Sequence, residues 1–264
     1  MSYDQKGPYE LGHTIFRIKE GMVHVWFPKN HSAKSCVCFL NGTFAPSFYY
    51  RGLLPILATW GVNVICPENS FTGNGIFGSN AMRSYFEKYP DTKIGFSGHS
   101  QGGSGAVVAA NLFGVDKVSS VFCIEPAWGM GRWRIKDDIE NITSDVFVVQ
   151  GGEDNNVYPW WLAIGLRYFK AKVYHGLAHK ADHIYKWQPI VKPVFIAWHL
   201  WKLKGDEKAG EFIKALGKSD AWDLNIINDD FDFQNGTDTS KIDMFRSVEI
   251  DWAKINYGND VDFS

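Results

Sequence analysis

Hydrophobic positions along the chain fall into two regimes. Early on they form short β-rich runs, His13–Lys19 and Met22–Phe27, joined around Gly21, which read as antiparallel strands. From residue 33 the pattern changes. Apolar runs at Ser35–Leu40, Val62–Cys66, Lys93–Ser97, Val118–Ile124, Val146–Gln150 and a short Lys172–Tyr174 are spaced as strands. Between them Tyr49–Trp60, Ala81–Tyr89, Gly103–Phe113, Val157–Phe169 and Pro189–Leu203 read as helices, the first closed by Gly61 as a C-cap. Ser70–Asn80 is a Gly/Asn-rich loop, and Glu125–Thr143, with Trp128, Gly129, Gly131 and Trp133, is a loop with a short helix. Strands that are apolar throughout and alternate with helices predict a mostly parallel sheet covered on both faces. The fold class is therefore α/β, with antiparallel strands at the amino end. No internal repeat or low-complexity linker interrupts the pattern, so one domain is expected over residues 1–218.

From Ser219 onward the character changes. Eleven acids stand against three bases, a net −8 that leaves about +6 for the rest of the chain, and aromatic residues recur from Trp222 to Phe263. Residues 219–264 are expected to be an acidic, aromatic-containing tail packed on the body or on a partner. Asp229-Asp230-Phe231-Asp232 lacks the ligand spacing of an EF-hand.

Composition adds limits. Apolar residues make up 45% of the chain, ample for a core, and 11 Trp exceed what that core needs, so some should line a cleft. A net charge of −2 gives no field toward nucleic acid or an anionic membrane. No stretch approaches the roughly 18 apolar residues of a membrane span. Residues 1–20 lack the apolar segment of a signal peptide, so the chain reads as cytoplasmic as it stands and as secreted if a leader was removed. Cys36, Cys38, Cys66 and Cys123 each lie in a predicted strand and are expected to be buried free thiols.

The chemistry centres on Gly98-His99-Ser100-Gln101-Gly102. With 26 glycines in the chain, the G-x-S-x-G letters alone say little. Context gives them meaning, because they follow the apolar run Lys-Ile-Gly-Phe-Ser and open a helix of small residues. In such a tight strand-to-helix turn the Ser hydroxyl is exposed beside a helix N-terminus, whose N–H groups and dipole favour a developing oxyanion. A Ser nucleophile needs a base, and the base an orienting carboxylate, in the chain order Ser, acid, His. Asp154, on the Gly-rich turn after Val146–Gln150, is the first choice of acid, with Glu153 and Glu125 behind it; an N-cap role for Asp154 on the following helix is compatible with that choice. For the base, His179 in the small-residue loop after the last strand comes first, then His183 and His175. His99 reads as structural. The oxyanion donors are expected to be the N–H of Gln101 and that of Thr43, with Phe44 as second choice for the latter.

These residues together resemble the polyester hydrolase and cutinase branch of the α/β-hydrolases, grouped near the dienelactone hydrolases. Gly-His-Ser-Gln-Gly-Gly is similar to that branch's Gly-His-Ser-x-Gly-Gly, and Asn41-Gly42-Thr43 stands where it has Pro-Gly-aromatic. Trp60-Gly61-Val62-Asn63-Val64, Pro126-Ala127-Trp128, His175-Gly176-Leu177-Ala178-His179 and Ala197-Trp198 also have counterparts there. The resemblance spans about residues 8–204 and implies an α/β-hydrolase fold, a Ser-His-Asp triad and a substrate cleft in which Trp128 lines the acyl subsite. Three features depart from the branch: Thr43 replaces its aromatic oxyanion residue, no Cys follows Cys123, and the acidic tail has no match. Chlorophyllases and small carboxylesterases share the same elbow.

The function expected is hydrolysis of an apolar or aromatic ester, small or polymeric, with Trp128, Phe44, Trp133 and Trp160 packing the acyl or aromatic part of the substrate. No metal or organic cofactor is expected. Acyl transfer to an alcohol or amine is the alternative enzyme reading, and a binding module that has lost turnover is the non-enzymatic one.

Overall fold

The computed structural model describes residues 2–128 and 135–228. Residues 129–134, with Trp133, and the tail from 229 onward lie outside the described residues, as does the side chain of Trp160.

Antiparallel strands β1 (Leu11–Ile18) and β2 (Gly21–Pro28) turn at Gly21, whose φ of 147° suits glycine. Next come β3 (Ser35–Leu40), α1 (Leu54–Thr59), β4 (Asn63–Pro67), α2 (Ile76–Lys88) and β5 (Lys93–His99). They are followed by α3 (Gln101–Phe113), β6 (Val118–Ile124), α4 (Ile135–Glu140), β7 (Val146–Gly151) and α5 (Pro159–Leu166). The described chain ends with β8 (Val173–Ala178), α6 (Trp187–Lys204), α7 (Glu207–Lys214) and β9 (Trp222–Ile227). These strands form a nine-stranded sheet ordered β1-β2-β4-β3-β5-β6-β7-β8-β9. Pairing is parallel from β4 through β8 and antiparallel at both edges.

Alternation along each strand builds two cores. Val37 and Phe39 join Phe122, Phe147, Phe195 and Trp198 on one face, toward α1 and α6. Cys36, Cys38 and Leu40 join Phe96, Val107 and Met82 on the other, toward α2 and α3. Cys36 and Cys38 thus share a face as their spacing predicts, and all four cysteines are free and buried. A mostly parallel sheet with antiparallel edges and helices on both faces is the α/β-hydrolase arrangement. Among the described residues no helix is long and apolar enough to cross a membrane.

Several boundaries differ from expectation. The predicted helix Tyr49–Trp60 splits into a 3₁₀ turn at Ser47–Tyr50 and the short α1, with Gly52 between them and Pro55 in the first helical turn. Helix α2 starts at Ile76, ahead of the expected Ala81, because Gly75 takes a left-handed φ of 67° and opens it inside the expected loop. Helix α6 starts at Trp187, ahead of the expected Pro189, and ends at Lys204, one residue past the expected Leu203, where Gly205 forms a left-handed C-cap. The largest change lies beyond Lys218. Trp222–Ile227 pairs antiparallel with β8, and Trp222 packs buried over Gly176, so the sheet continues past the expected domain end.

Candidate active site

Five strand ends meet at the carboxyl edge of the sheet, and each contributes one piece. After β5 comes Ser100, a non-glycine residue at φ 56°, ψ −122°. Backbone held in so sparsely populated a region persists only where its surroundings enforce it. Here the Ser100 N–H donates to the Ile124 carbonyl at 2.8 Å, and its carbonyl accepts from Gly103 and Ala127. The flanking glycines are required by contact. A Cβ on Gly102 would lie 2.1 Å from the Leu40 oxygen, and one on Gly98 would lie 2.0 Å from the Gly102 oxygen.

The turn after β3 supplies Gly42, Thr43 and Phe44. The Tyr50 hydroxyl accepts from the Gly42 N–H at 2.7 Å and fixes the turn. Phe44 has φ 55°, and its N–H donates to Ser70 at 3.3 Å. Among the described residues the Thr43 N–H has no protein acceptor, nor does that of Gln101 at the start of α3. The Gln101 side chain, meanwhile, is buried and accepts from the N–H groups of Thr72 (2.8 Å) and Gly73 (3.4 Å), holding the loop ahead of α2.

Asp154 follows β7. One of its oxygens accepts from the N–H groups of Asn156 (2.7 Å) and Val157 (2.9 Å), and the other lies 2.8 Å from Nδ1 of His183. Burial alone would raise this carboxyl; the imidazole and the two N–H groups outweigh it and hold it below the ordinary carboxylate range. For His183 burial pulls downward, but Asp154 and Glu125 outweigh it and push the imidazole up to about 9.

The expected base, His179, is not brought into the pocket that Ser100 lines. It is the first residue past β8, and its ring turns away to the antiparallel neighbour. Nδ1 donates to the Asp220 carbonyl at 2.9 Å, and Nε2 lies 3.2 Å from Asp223. Asp223 first and Asp220 second raise its pKa. His183, four residues on, is carried back over the sheet edge by a turn in which Asp182 accepts from the N–H groups of Ile184, Tyr185 and Lys186. His175 points elsewhere, buried beside Gln150 at 3.1 Å, and burial lowers it to about 4. Glu153 is also out of the site, paired with Lys186 at 2.6 Å.

Ser100 and His183 line one pocket of about 420 Å³ with Gly42 and Thr43, walled by Phe44, Tyr49, Val157, Trp161 and Ile184. Trp128 is a second correction. It is buried in the core, its indole N–H donating to the Leu162 carbonyl at 3.2 Å and its ring packing on Phe169 and Gly165. Trp161 provides the aromatic wall in its place. A cavity of similar size, about 430 Å³, lies by β1, β2 and α2 around Phe16, Phe27 and Tyr85, apart from these strand ends.

Glu125, after β6, is the third candidate acid. It sits fully buried at φ 45°, 3.3 Å from His183 Nδ1 and 3.5 Å from His99 Nε2. Among the described residues His99, Glu125 and His183 form the one group with donor atoms close enough to surround a cation.

Over residues 78–127 the chain matches the family model of lipases of class 3. The matched segment runs from α2 through Ser100 to Ala127. A search of curated proteins finds none that matches. With the α/β-hydrolase fold, the match defines an enzyme, a lipase-like serine hydrolase acting on carboxylic esters.

Proposed function

We propose that Ser100, His183 and Asp154 form the catalytic triad and that the substrate is an ester with an apolar or aromatic acyl group, in the manner of cutinases and polyesterases. The observation that carries the reading is the partly buried 2.8 Å contact between Asp154 and Nδ1 of His183, which lines the same pocket as the strained Ser100. With Nδ1 directed to Asp154, Nε2 is left to take the Ser100 proton as the hydroxyl attacks the ester carbonyl. The tetrahedral oxyanion is received by the Thr43 and Gln101 N–H groups. His183 then protonates the leaving alcohol, and a water it deprotonates releases the acyl group from Ser100. Phe44, Tyr49 and Trp161 support the aromatic preference, since they place rings on the walls where an acyl chain would lie.

The test is turnover of p-nitrophenyl acetate, butyrate, octanoate and benzoate by wild type, Ser100→Ala and Trp161→Ala. Ser100→Ala should abolish hydrolysis of all four. Trp161→Ala should raise KM for benzoate and octanoate more than for acetate. Equal KM changes across the series would remove the acyl-wall assignment, and turnover by Ser100→Ala would remove the triad.

A further inference from the structure

Glu125 is a buried ionisable group at the sheet edge that the triad leaves unused. Its side chain is fully shielded from solvent, and neither oxygen has a hydrogen bond of normal geometry among the described residues. Burying a carboxylate without such bonds is costly unless a cation is at hand. Both groups facing it are imidazoles, His183 at 3.3 Å and His99 at 3.5 Å. Its backbone is held at φ 45°, a conformation a non-glycine residue keeps only where its surroundings enforce it. Gly151 makes the space, since a Cβ there would lie 2.3 Å from a Glu125 oxygen.

We propose that Glu125 is a second carboxylate partner of His183, a positioning residue that shares the Nδ1 proton with Asp154 and ties the base, through His99 and Tyr50, to the oxyanion turn at Gly42. The inference rests on His183 being the base. Proton directions along this chain are consistent from end to end. Gly42 N–H donates to the Tyr50 oxygen at 2.7 Å, and the Tyr50 hydroxyl faces His99 Nδ1 at 3.3 Å. With Nδ1 accepting, His99 carries its proton on Nε2, which points to Glu125. Burial keeps His99 neutral by lowering its pKa. Glu125 then accepts from His99 on one side and faces the shared His183 proton on the other. Contacts that are long in the free enzyme tighten as charge develops, and here a cation forms 3.3 Å away when Ser100 loses its proton.

The groups around His183 are thus Asp154 from the β7 turn, Glu125 from the end of β6 and His99 from β5, whose ring centre lies 4.8 Å from that of His183. Tyr49 and Tyr50, ahead of α1, and Asp182, the residue before His183, are further titratable neighbours. Removing the Glu125 charge should make His183 easier to deprotonate.

Glu125→Gln keeps the shape and an oxygen for His99 while removing the charge, and Glu125→Asp keeps the charge. The experiment compares kcat and kcat/KM for p-nitrophenyl acetate against pH in wild type and both variants. In Glu125→Gln the acid limb should move to lower pH by about one unit or more, with kcat reduced at the plateau. Glu125→Asp should return the limb toward wild type. A residue that only filled space would lower stability or kcat and leave the limb in place, and coincident limbs overturn the proposal. A second readout is independent of turnover: ¹⁵N-imidazole titration of His183 in Ser100→Ala with and without Glu125→Gln. Equal titration points refute the role of Glu125 whatever the activity. Full activity in Ser100→Ala would instead refute the triad.

Discussion

Replacing Asp154 by Asn separates geometry from charge at the proposed base, His183. The Asn oxygen can still accept from the N–H groups of Asn156 and Val157, at 2.7 and 2.9 Å, so the turn survives. Its amide nitrogen then takes the place of the oxygen 2.8 Å from His183 Nδ1. Two N–H donors cannot face each other, so the imidazole proton moves to Nε2, the nitrogen that must accept from Ser100. The rise of His183 from 6.5 to about 9 corresponds, at roughly 1.36 kcal/mol per pH unit, to about 3 kcal/mol in favour of imidazolium. Asp154, the closer carboxylate, is the larger of the two raising contributors, ahead of Glu125. Expressed in the transition state, that is roughly a 100- to 1000-fold loss in kcat/KM, with the wrong tautomer adding to it.

The assay is kcat/KM for a soluble p-nitrophenyl ester between about pH 5 and about pH 10. Wild type should climb with pH and reach half its plateau near pH 9, where His183 deprotonates. Asp154→Asn should have a far lower plateau whose half-point moves down toward 6.5, the ordinary value for His. Stability follows the same pair. The raised His183 contributes stability fully present below pH 6.5 and lost as pH rises through about 9. The lowered Asp154 contributes stability present above pH 3.8 and lost as pH falls below it. The Tm gap between wild type and Asp154→Asn should therefore be widest between those two values and close toward alkaline pH. An unchanged plateau, or a wild-type half-point at or below 6.5, would refute the reasoning.

Two further outcomes follow from the same geometry. His183→Ala should abolish ester turnover, whereas His179→Ala should leave kcat within about twofold and lower Tm by freeing the β8–β9 edge; the reverse pattern in parallel assays would restore His179 as base. Gly102→Ala forces a Cβ to 2.1 Å from the Leu40 oxygen and should destabilise the fold by more than about 2 kcal/mol in urea unfolding, so a variant as stable as wild type would contradict the packing of the elbow.

Much of the frame was legible because it rests on local chemistry. The strand before Ser100, the glycines around it and the Gly-rich turn before Asp154 each have a steric reason visible in the letters. The proposed base was not, because His175, His179 and His183 fall within nine residues and the choice depends on what borders β8. That border is β9, whose Asp223 and Asn225 alternate with Trp222 and Leu224 in a stretch that reads as an acidic tail. Asp182 was the overlooked signal for His183, since a carboxylate ahead of three N–H groups makes the turn that returns the chain to the site. Trp128 enters the cleft by resemblance alone; Gly165, where a Cβ would meet its indole at 2.2 Å, marks the slot it fills instead.

The central claim is that Ser100 forms a covalent acyl-enzyme with His183 as its base. The direct measurement is intact-protein and peptide mass spectrometry after treatment with a fluorophosphonate. One adduct per chain is expected on the peptide holding Ser100, abolished in Ser100→Ala and strongly slowed in His183→Ala. An adduct on another residue, or labelling of His183→Ala at the wild-type rate, would contradict it.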